Sequence, residues 1–285
     1  MPSPSARPVV VGVDGSESAL TAVRWAARAA HLRSASLHLV HAMSSGWDLG
    51  RGGVVALQSP AMHKQGQAAL SVATSVAVES APGLAVHSDL VSPSPLSALR
   101  RRAREAELLV VGTRGLGAFE RALLGSVSRA LARHPVCPLA VVPAANHLAG
   151  THLPVLVGID GSPASGRALE IAIEEASRRR VGLEAIYIWS EPEPGIQHAH
   201  MPEHARQMLS QALTGYREKY PEVAITTHVA EDDPAQRLLE ESRRAQLIVL
   251  GSHGRGRLTG HVLGSVSRAV LYATQIPLIL VGRRI

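Results

Sequence analysis

Two glycine-punctuated stretches with one spacing constrain this chain more than anything else in it. In LLVVGTRGLGAFERALLGSVSRAL, residues 108–131, an apolar run ends at Gly112; after two residues comes Gly115, after nine more Gly125, and then at once Ser126. The stretch LIVLGSHGRGRLTGHVLGSVSRAVL, residues 247–271, repeats the spacing with Gly251, Gly254, Gly264 and Ser265. Each opening run, Leu108–Val111 in the first case, reads as a buried strand. After Ser126 the residues Val127, Ala130 and Leu131 recur at helical spacing. A glycine loop between a strand end and a helix start suits an anion, because free backbone N–H groups and the positive end of the helix dipole both point there.

The repetition extends beyond the loops. VVVGVDGSESALTAVRWAARAA at 9–30 answers to VLVGIDGSPASGRALEIAIEEA at 155–176. Asp14 and Asp160 stand 146 positions apart, whereas Gly112 and Gly251 stand 139 apart, so the first copy carries seven extra residues. They are expected after the second strand, around 43–58. A chain of 285 residues is long enough for two domains with separate cores. The expected division is a disordered tail over 1–7, a first domain over 8–143, a linker over 144–153 and a second domain over 154–285.

Within copy one the pattern predicts strands at 9–13, 37–42, 84–90, 108–111 and 138–142. Helices are expected from Ser16, as cap, to about His31, then over 59–80, 95–106 and 126–133. Copy two predicts strands near 154–159, 183–189, 223–229, 247–250 and 277–281, with helices between. Strands apolar on both faces, alternating with helices, imply parallel βαβ units with right-handed crossovers. The expected fold is therefore α/β: two Rossmann-like domains, each a five-stranded parallel doubly wound sheet.

Composition narrows the function. The single cysteine, Cys137, excludes an internal disulfide and reads as a buried small residue in a reducing compartment. The N-terminal MPSPSARP lacks the apolar core of a signal peptide, and no apolar run reaches membrane-spanning length, so a cytoplasmic protein without a membrane partner is expected. The net charge of +6 invites a nucleic-acid reading. Against it, Lys64 and Lys219 are the only lysines, the arginines cluster at expected helix C-termini (Arg100–Arg102, Arg178–Arg180), and aromatics make up only 3%.

In an open α/β sheet the ligand sits beyond the carboxyl ends of the strands, where strand order reverses. The first and fourth strands are expected to flank that crevice. The first ends in Gly12-Val13-Asp14, and in Gly158-Ile159-Asp160 in copy two. Such an aspartate can accept from a ribose hydroxyl or an adenine amino group, or approach a phosphate-bound metal; it can equally cap the next helix with Ser16 or Ser162. Gly112 and Gly115 let main-chain amides approach a phosphate, and the Ser126 hydroxyl can donate to it. Arg114, and Arg255 or Arg257, are candidate counter-charges; His253 stands where Arg114 stands in copy one. Neither loop has the lysine of a Walker A loop, and no Ser/His/Asp set or carboxylate pair recurs in both copies, so no catalytic group is read. His198, His200 and His204 have a spacing that can bind metal, but no counterpart in copy one, and no metal site is read from them. Trp25, Trp47 and Trp189 read as packing residues.

VGVDGS together with G-x2-G-x9-G-S resembles the universal stress protein family in its tandem form, over Val9 to Val281. The resemblance implies the adenine nucleotide α-hydrolase-like variety of the fold and ATP binding, with magnesium accompanying the triphosphate. In copy one it implies contacts from Gly12, Asp14, Gly112, Thr113, Arg114, Gly115, Gly117, Gly125, Ser126 and Val127, with Ala42 meeting adenine through its backbone. In copy two the same roles fall on Gly158, Asp160, Ile188, Gly251, Ser252, His253, Gly254, Gly256, Gly264, Ser265 and Val266. An acidic residue common in the family before the fourth strand is Glu107 here but Gln246 in copy two. The resemblance also implies final strands that pair domain against domain, an intrachain pseudo-dimer on which a homodimer is built. The expected role is a nucleotide-dependent regulator or stress-survival factor, with an unidentified protein partner. A slow Mg-dependent ATPase, and an interaction module binding cyclic AMP or another anion, stay open as alternatives.

Overall fold

The computed structural model describes residues 7–43, 60–92, 94–113, 124–144, 152–191, 195–254 and 263–282. It divides into two compact units, Met1–Leu131 with Leu139–Ala144, and Ala132–Pro138 with Ala145–Ile285. In the first, β1 (Val9–Gly12), β2 (Leu37–Ala42), β3 (Val86–Val91), β4 (Leu108–Gly112) and β5 (Leu139–Val142) are joined through α1 (Glu17–Leu32), α2 (Pro60–Ser80), α3 (Pro95–Ala103) and α4 (Ser126–Arg133). The strands lie in the order β3-β2-β1-β4-β5, all parallel. Right-handed crossovers then place α1 and α2 on one face and α3 and α4 on the other. A parallel sheet covered on both faces needs apolar residues throughout, and every residue of β4 and β5 is buried.

The second unit has β6 (Val155–Gly158), β7 (Leu183–Trp189), β8 (Ile225–Glu231), β9 (Leu247–Gly251) and β10 (Leu278–Val281). Its helices are α5 (Pro163–Arg179), α6 (Met201–Ala212), α7 (Tyr216–Lys219), α8 (Pro234–Glu241) and α9 (Ser265–Ala273). The order β10-β9-β6-β7-β8 is again all parallel. Leu37 pairs with Val86 and Leu183 with Ile225, so the seven extra residues fall between the second and third strands of the first unit. The helices α2 and α7 end at Ser80 and Lys219, each followed by a strand six positions on, which confines the insertion to 43–59.

Several boundaries depart from the sequence expectation. The third strands start later, at Val86 and Ile225, because Leu84 and Val223 belong to the tight turns that close the preceding helices. The helix expected over 95–106 ends at Ala103: Arg104 and Glu105 donate their N–H to Arg101 and Arg102 three residues back, which tightens the last turn. The helix answering to α2 is broken into α6 and α7 at Gly215, whose φ of 79 no side-chain-bearing residue adopts cheaply. Cys137 is half-buried rather than buried, its Sγ 3.4 Å from the Pro138 carbonyl. Trp25 and Trp189 are buried as expected; Trp47 lies outside the described residues.

Candidate functional site

Strand order reverses between β1 and β4 in the first unit and between β6 and β9 in the second. Each pair is in direct register, Val11 beside Val110 and Val157 beside Val249. The carboxyl ends that the sequence assigned to one crevice are therefore neighbours.

At the end of β1, Asp14 Oδ1 accepts from the Ser16 N–H at 3.0 Å and from the Ser16 hydroxyl at 2.7 Å. Ser16 in turn accepts from the Ala19 N–H and caps α1. Gly15 turns the chain at φ 88. In the second unit Asp160 Oδ1 accepts from the Ser162 N–H at 2.9 Å, Gly161 stands at φ 75, and Ser162 caps α5 through Ser165. The two aspartates thus brace the capping serines, as their sequence context allows. Gly12 and Gly158 come just before these turns and pack under leucines: a Cβ at 158 would lie 2.8 Å from the Leu250 side chain, and one at 12 would lie 3.1 Å from Leu99.

The loop glycines have two different jobs. A Cβ at Gly112 would lie 2.8 Å from the Ser18 carbonyl oxygen, and one at Gly251 would lie 2.9 Å from the Ala164 carbonyl carbon. These two let the first turn of α1 or α5 sit directly on the end of the fourth strand. Gly254 faces the other way: a Cβ there would lie 2.7 Å from Asp160 Oδ2. Gly264 closes over the same place, its Cβ position 3.6 Å from the Gly254 nitrogen and 3.7 Å from His253 Cα. Asp160, His253, Gly254 and Gly264 are therefore one cluster.

The far ends of the loops are tied down alike. The Gly125 N–H donates to the Thr113 carbonyl, and the Gly264 N–H to the Ser252 carbonyl. Ser128 and Ser267 donate their hydroxyls to the Gly112 and Gly251 carbonyls at 2.7 and 2.6 Å. These two serines were missed as site residues, although their signal, the second serine of GSVS in both copies, is in the sequence. Ser126 and Ser265, the first residues of α4 and α9, are exposed, and Val127 and Val266 are half-buried beside them. No side chain caps α9, since Gly264 occupies its N-cap.

Ser252 is fully buried, and its hydroxyl meets His253 Nδ1 at 2.8 Å. Ala42 ends β2, next to β1, and Ile188 lies near the end of β7, next to β6; both are half-buried. Arg114, Gly115, Gly117 and Gly256 lie outside the described residues, as do Arg255 and Arg257. His198 meets Glu231 at 2.8 Å, and among the described residues no three His, Cys, Asp or Glu gather as metal ligands. No described helix is long and apolar enough to cross a membrane.

Two doubly wound parallel units in tandem, each with a glycine loop at its strand-order reversal, define a duplicated α/β protein of Rossmann-like architecture. The universal stress protein family matches twice, over residues 5–143 and 153–282, and the chain belongs to that family. Two universal stress proteins of Mycobacterium tuberculosis are each 40% identical to it. One aligns over 290 residues, 95% of this chain and 96% of the relative; the other over 284 residues, 95% of each. The crystal structure of a universal stress protein from Archaeoglobus fulgidus shares the fold, with a TM-score of 0.75 at 18% identity over 98% of this chain and 99% of that one. A universal stress protein solved in complex with cAMP is 30% identical, covering 50% of this chain and 99% of its own, with a TM-score of 0.39.

Proposed function

We propose that each unit binds ATP at its strand-order reversal, and that the chain is a nucleotide-dependent regulator or stress-survival factor without fast catalysis. The observation that carries this reading is the cluster in the second unit, where Gly254 faces the Asp160 carboxylate, a Cβ there lying 2.7 Å from Oδ2, and Gly264 packs against the Gly254 and His253 backbone. It brings two unlike binding ends together. The uncapped first turn of α9 offers N–H donors and positive dipole to an anion. The strand-end carboxylate offers acceptors to ribose hydroxyls. A nucleoside phosphate presents both partners at once, whereas inorganic phosphate presents only one.

In this reading Gly125, Ser126 and Val127, with Gly264, Ser265 and Val266, receive the phosphates together with the loop residues Gly112–Gly115, Gly117, Gly251–Gly254 and Gly256. Asp14 and Asp160 take the ribose, and the backbone at Ala42 and Ile188 meets the adenine edge. Magnesium fits such a site, since it needs only one or two protein carboxylates beside phosphate and water oxygens. When bound it neutralises phosphate charge. The chain's own residues hold the nucleotide; the loops contain no lysine to draw charge onto a transferred phosphate. A cytoplasmic homodimer that signals its nucleotide state to a protein partner completes the proposal.

Titration calorimetry on nucleotide-stripped protein with Mg-ATP, AMP, cyclic AMP and inorganic phosphate tests it. Gly264 has an ordinary φ of −55, and a methyl there meets its nearest neighbour at 3.5 Å, so Gly264→Ala keeps the fold while filling the phosphate end. Two ATP sites per chain are expected, with one lost in Gly264→Ala and the other in Gly125→Ala. No ATP binding to the stripped protein overturns the proposal. Equal affinity for cyclic AMP or phosphate replaces it with the interaction module, and Mg-dependent release of ADP or AMP with the slow ATPase.

A further inference from the structure

The ladder between β1 and β2 stops one rung short of the crevice. It runs as far as the Val13 N–H, which donates to the Val40 carbonyl at 2.9 Å. In a parallel pair the next rung joins the Ala42 N–H to the Val13 carbonyl. That bond is not made: β1 ends at Gly12, and the Ala42 N–H has no acceptor among the described residues.

The second unit opens at the same place. The Ile159 N–H donates to the Ile186 carbonyl at 2.9 Å, and no bond joins the Ile188 N–H to the Ile159 carbonyl. An opening that recurs between two interior strands is built in, since interior backbone groups are otherwise paired. It leaves a backbone donor beside Asp14 in one unit and beside Asp160 in the other.

What differs is the fate of the carbonyl across the gap. In the first unit the His41 ring donates to the Val13 carbonyl. Its Nδ1 is enclosed and has no partner, so the donor is Nε2. The helix α2 makes room for this ring. A Cβ at Gly66 would lie 3.0 Å from His41 Cδ2, 3.2 Å from Nε2 and 2.6 Å from Leu90. Glycine weakens a helix interior, and the second unit has Ala205 at that place. There Tyr187, which has no ring N–H to give, replaces His41. Val13 is only 3% exposed, and a buried carbonyl needs a donor. Without His41 the donor in register is the Ala42 N–H, and closing the rung would withdraw it from any ligand.

We propose that His41 is a positioning residue of the first nucleotide site: by occupying the Val13 carbonyl it holds the Ala42 N–H open to a ring nitrogen of the base. This rests on the reading that the Ala42 backbone meets adenine.

Titration calorimetry in the Gly264→Ala background, where ATP is expected at the first site alone, tests it. The ligands are ATP and ribose 5-triphosphate, which has no base, the latter read by displacement of ATP. His41→Asn puts its amide where Nδ1 stands and should weaken ATP about fivefold, the worth of one hydrogen bond. It should leave ribose 5-triphosphate unchanged, whereas a merely structural role weakens both. His41→Gln puts its amide nitrogen at the Nε2 position and should restore most of the affinity. Equal weakening of both ligands overturns this proposal alone. So does an ATP affinity unmoved by His41→Asn, or a His41→Gln variant no better than His41→Asn. No ATP bound in the Gly264→Ala background overturns the reading it rests on, and the role of His41 with it.

Discussion

The two units bury an equivalent arginine and neutralise it from different places. Arg33, at the C-cap of α1, has a side chain only 3% exposed; its Nε lies 3.2 Å from Glu107, and an Nη donates to the Ala29 carbonyl. The equivalent Arg179, near the end of α5, is 13% exposed and faces Gln246 where Arg33 faces Glu107. Its carboxylate comes instead from Glu175, fully buried one turn back on the same helix, at 3.0 Å. Glu175 stands at the position of Ala29, so the acid has moved from the strand head to the helix while the arginine has stayed. Gln246 keeps the vacated position polar, accepting from Arg179 and donating to the Leu153 carbonyl. What the fold conserves between its copies is a neutralised arginine under the sheet end, not the residue that neutralises it.

Removing the acid from the more buried arrangement is the largest way to break this equivalence. Glu175→Ala leaves Arg179 without its nearest carboxylate, and loss of one partner of a buried pair costs about 3–5 kcal/mol. Glu107 is 30% exposed, so Glu107→Ala in the first unit is expected to cost less, about 1–2 kcal/mol after allowing for solvent screening. Chemical denaturation of each variant checks the order. The sharper test is rescue: Gln246→Glu in the Glu175→Ala background rebuilds the first unit's arrangement in the second and should recover much of the lost stability. If Gln246→Glu recovers nothing, the two solutions are not interchangeable.

The glycine loops supply the next effect, because here the units are expected to agree. Gly112→Ala and Gly251→Ala each force a methyl to within 3 Å of helix backbone, at Ser18 and at Ala164. Backbone cannot yield as a side-chain tip can, so each should cost about 1–3 kcal/mol as overpacking. Gly264→Ala, with its nearest neighbour at 3.5 Å, should leave thermal stability almost unchanged. Melting curves that rank Gly264→Ala beside Gly251→Ala would show that the glycines do one job rather than two.

Most of the fold was legible because buried parallel strands are plain apolar runs and a duplicated chain states everything twice. The 139-residue offset of the glycine loops is the offset of the third strands as well, so the sequence alone places the insertion before the third strand. What escaped was tertiary. Glu175 stands on the buried stripe of α5 with Ala168 and Ala172, where its equivalent is Ala29, and only the packed arginine beside it explains a carboxylate there. Gly215 is a lone glycine inside a helical pattern, and whether such a glycine bends, ends or merely weakens the helix is settled by its φ of 79, which spacing does not show. The candidate site residues are read from what the two copies repeat. The split between glycines whose missing side chain makes room for a helix turn, Gly112 and Gly251, and one that faces Asp160, Gly254, depends on what lies across the crevice, which spacing does not carry.

The smallest predicted difference concerns acid. In β2, His38 and His41 both have pKa values held below the ordinary 6.5, chiefly by burial. For His38 the neighbouring His87 ring, 4.8 Å away, and Arg102 push the same way, with Asp89 opposing. For His41 the Val13 carbonyl and Asp14 oppose without prevailing. In the second unit Glu184, Tyr187 and Thr226 occupy the positions of His38, His41 and His87, so the device belongs to the first unit alone. Below about pH 6.5 the unfolded histidines bind protons that the folded ones refuse. Stability from this source is therefore complete above that pH and is lost as pH falls through the depressed folded values. Denaturant titrations from about pH 7.5 to about 5.5 should show the first unit weakening relative to the second. His38→Gln with His41→Gln should flatten that dependence. A slope unchanged in the double variant would mean that other groups set the acid limit, and that the two units differ in their arginine chemistry but not in their response to protons.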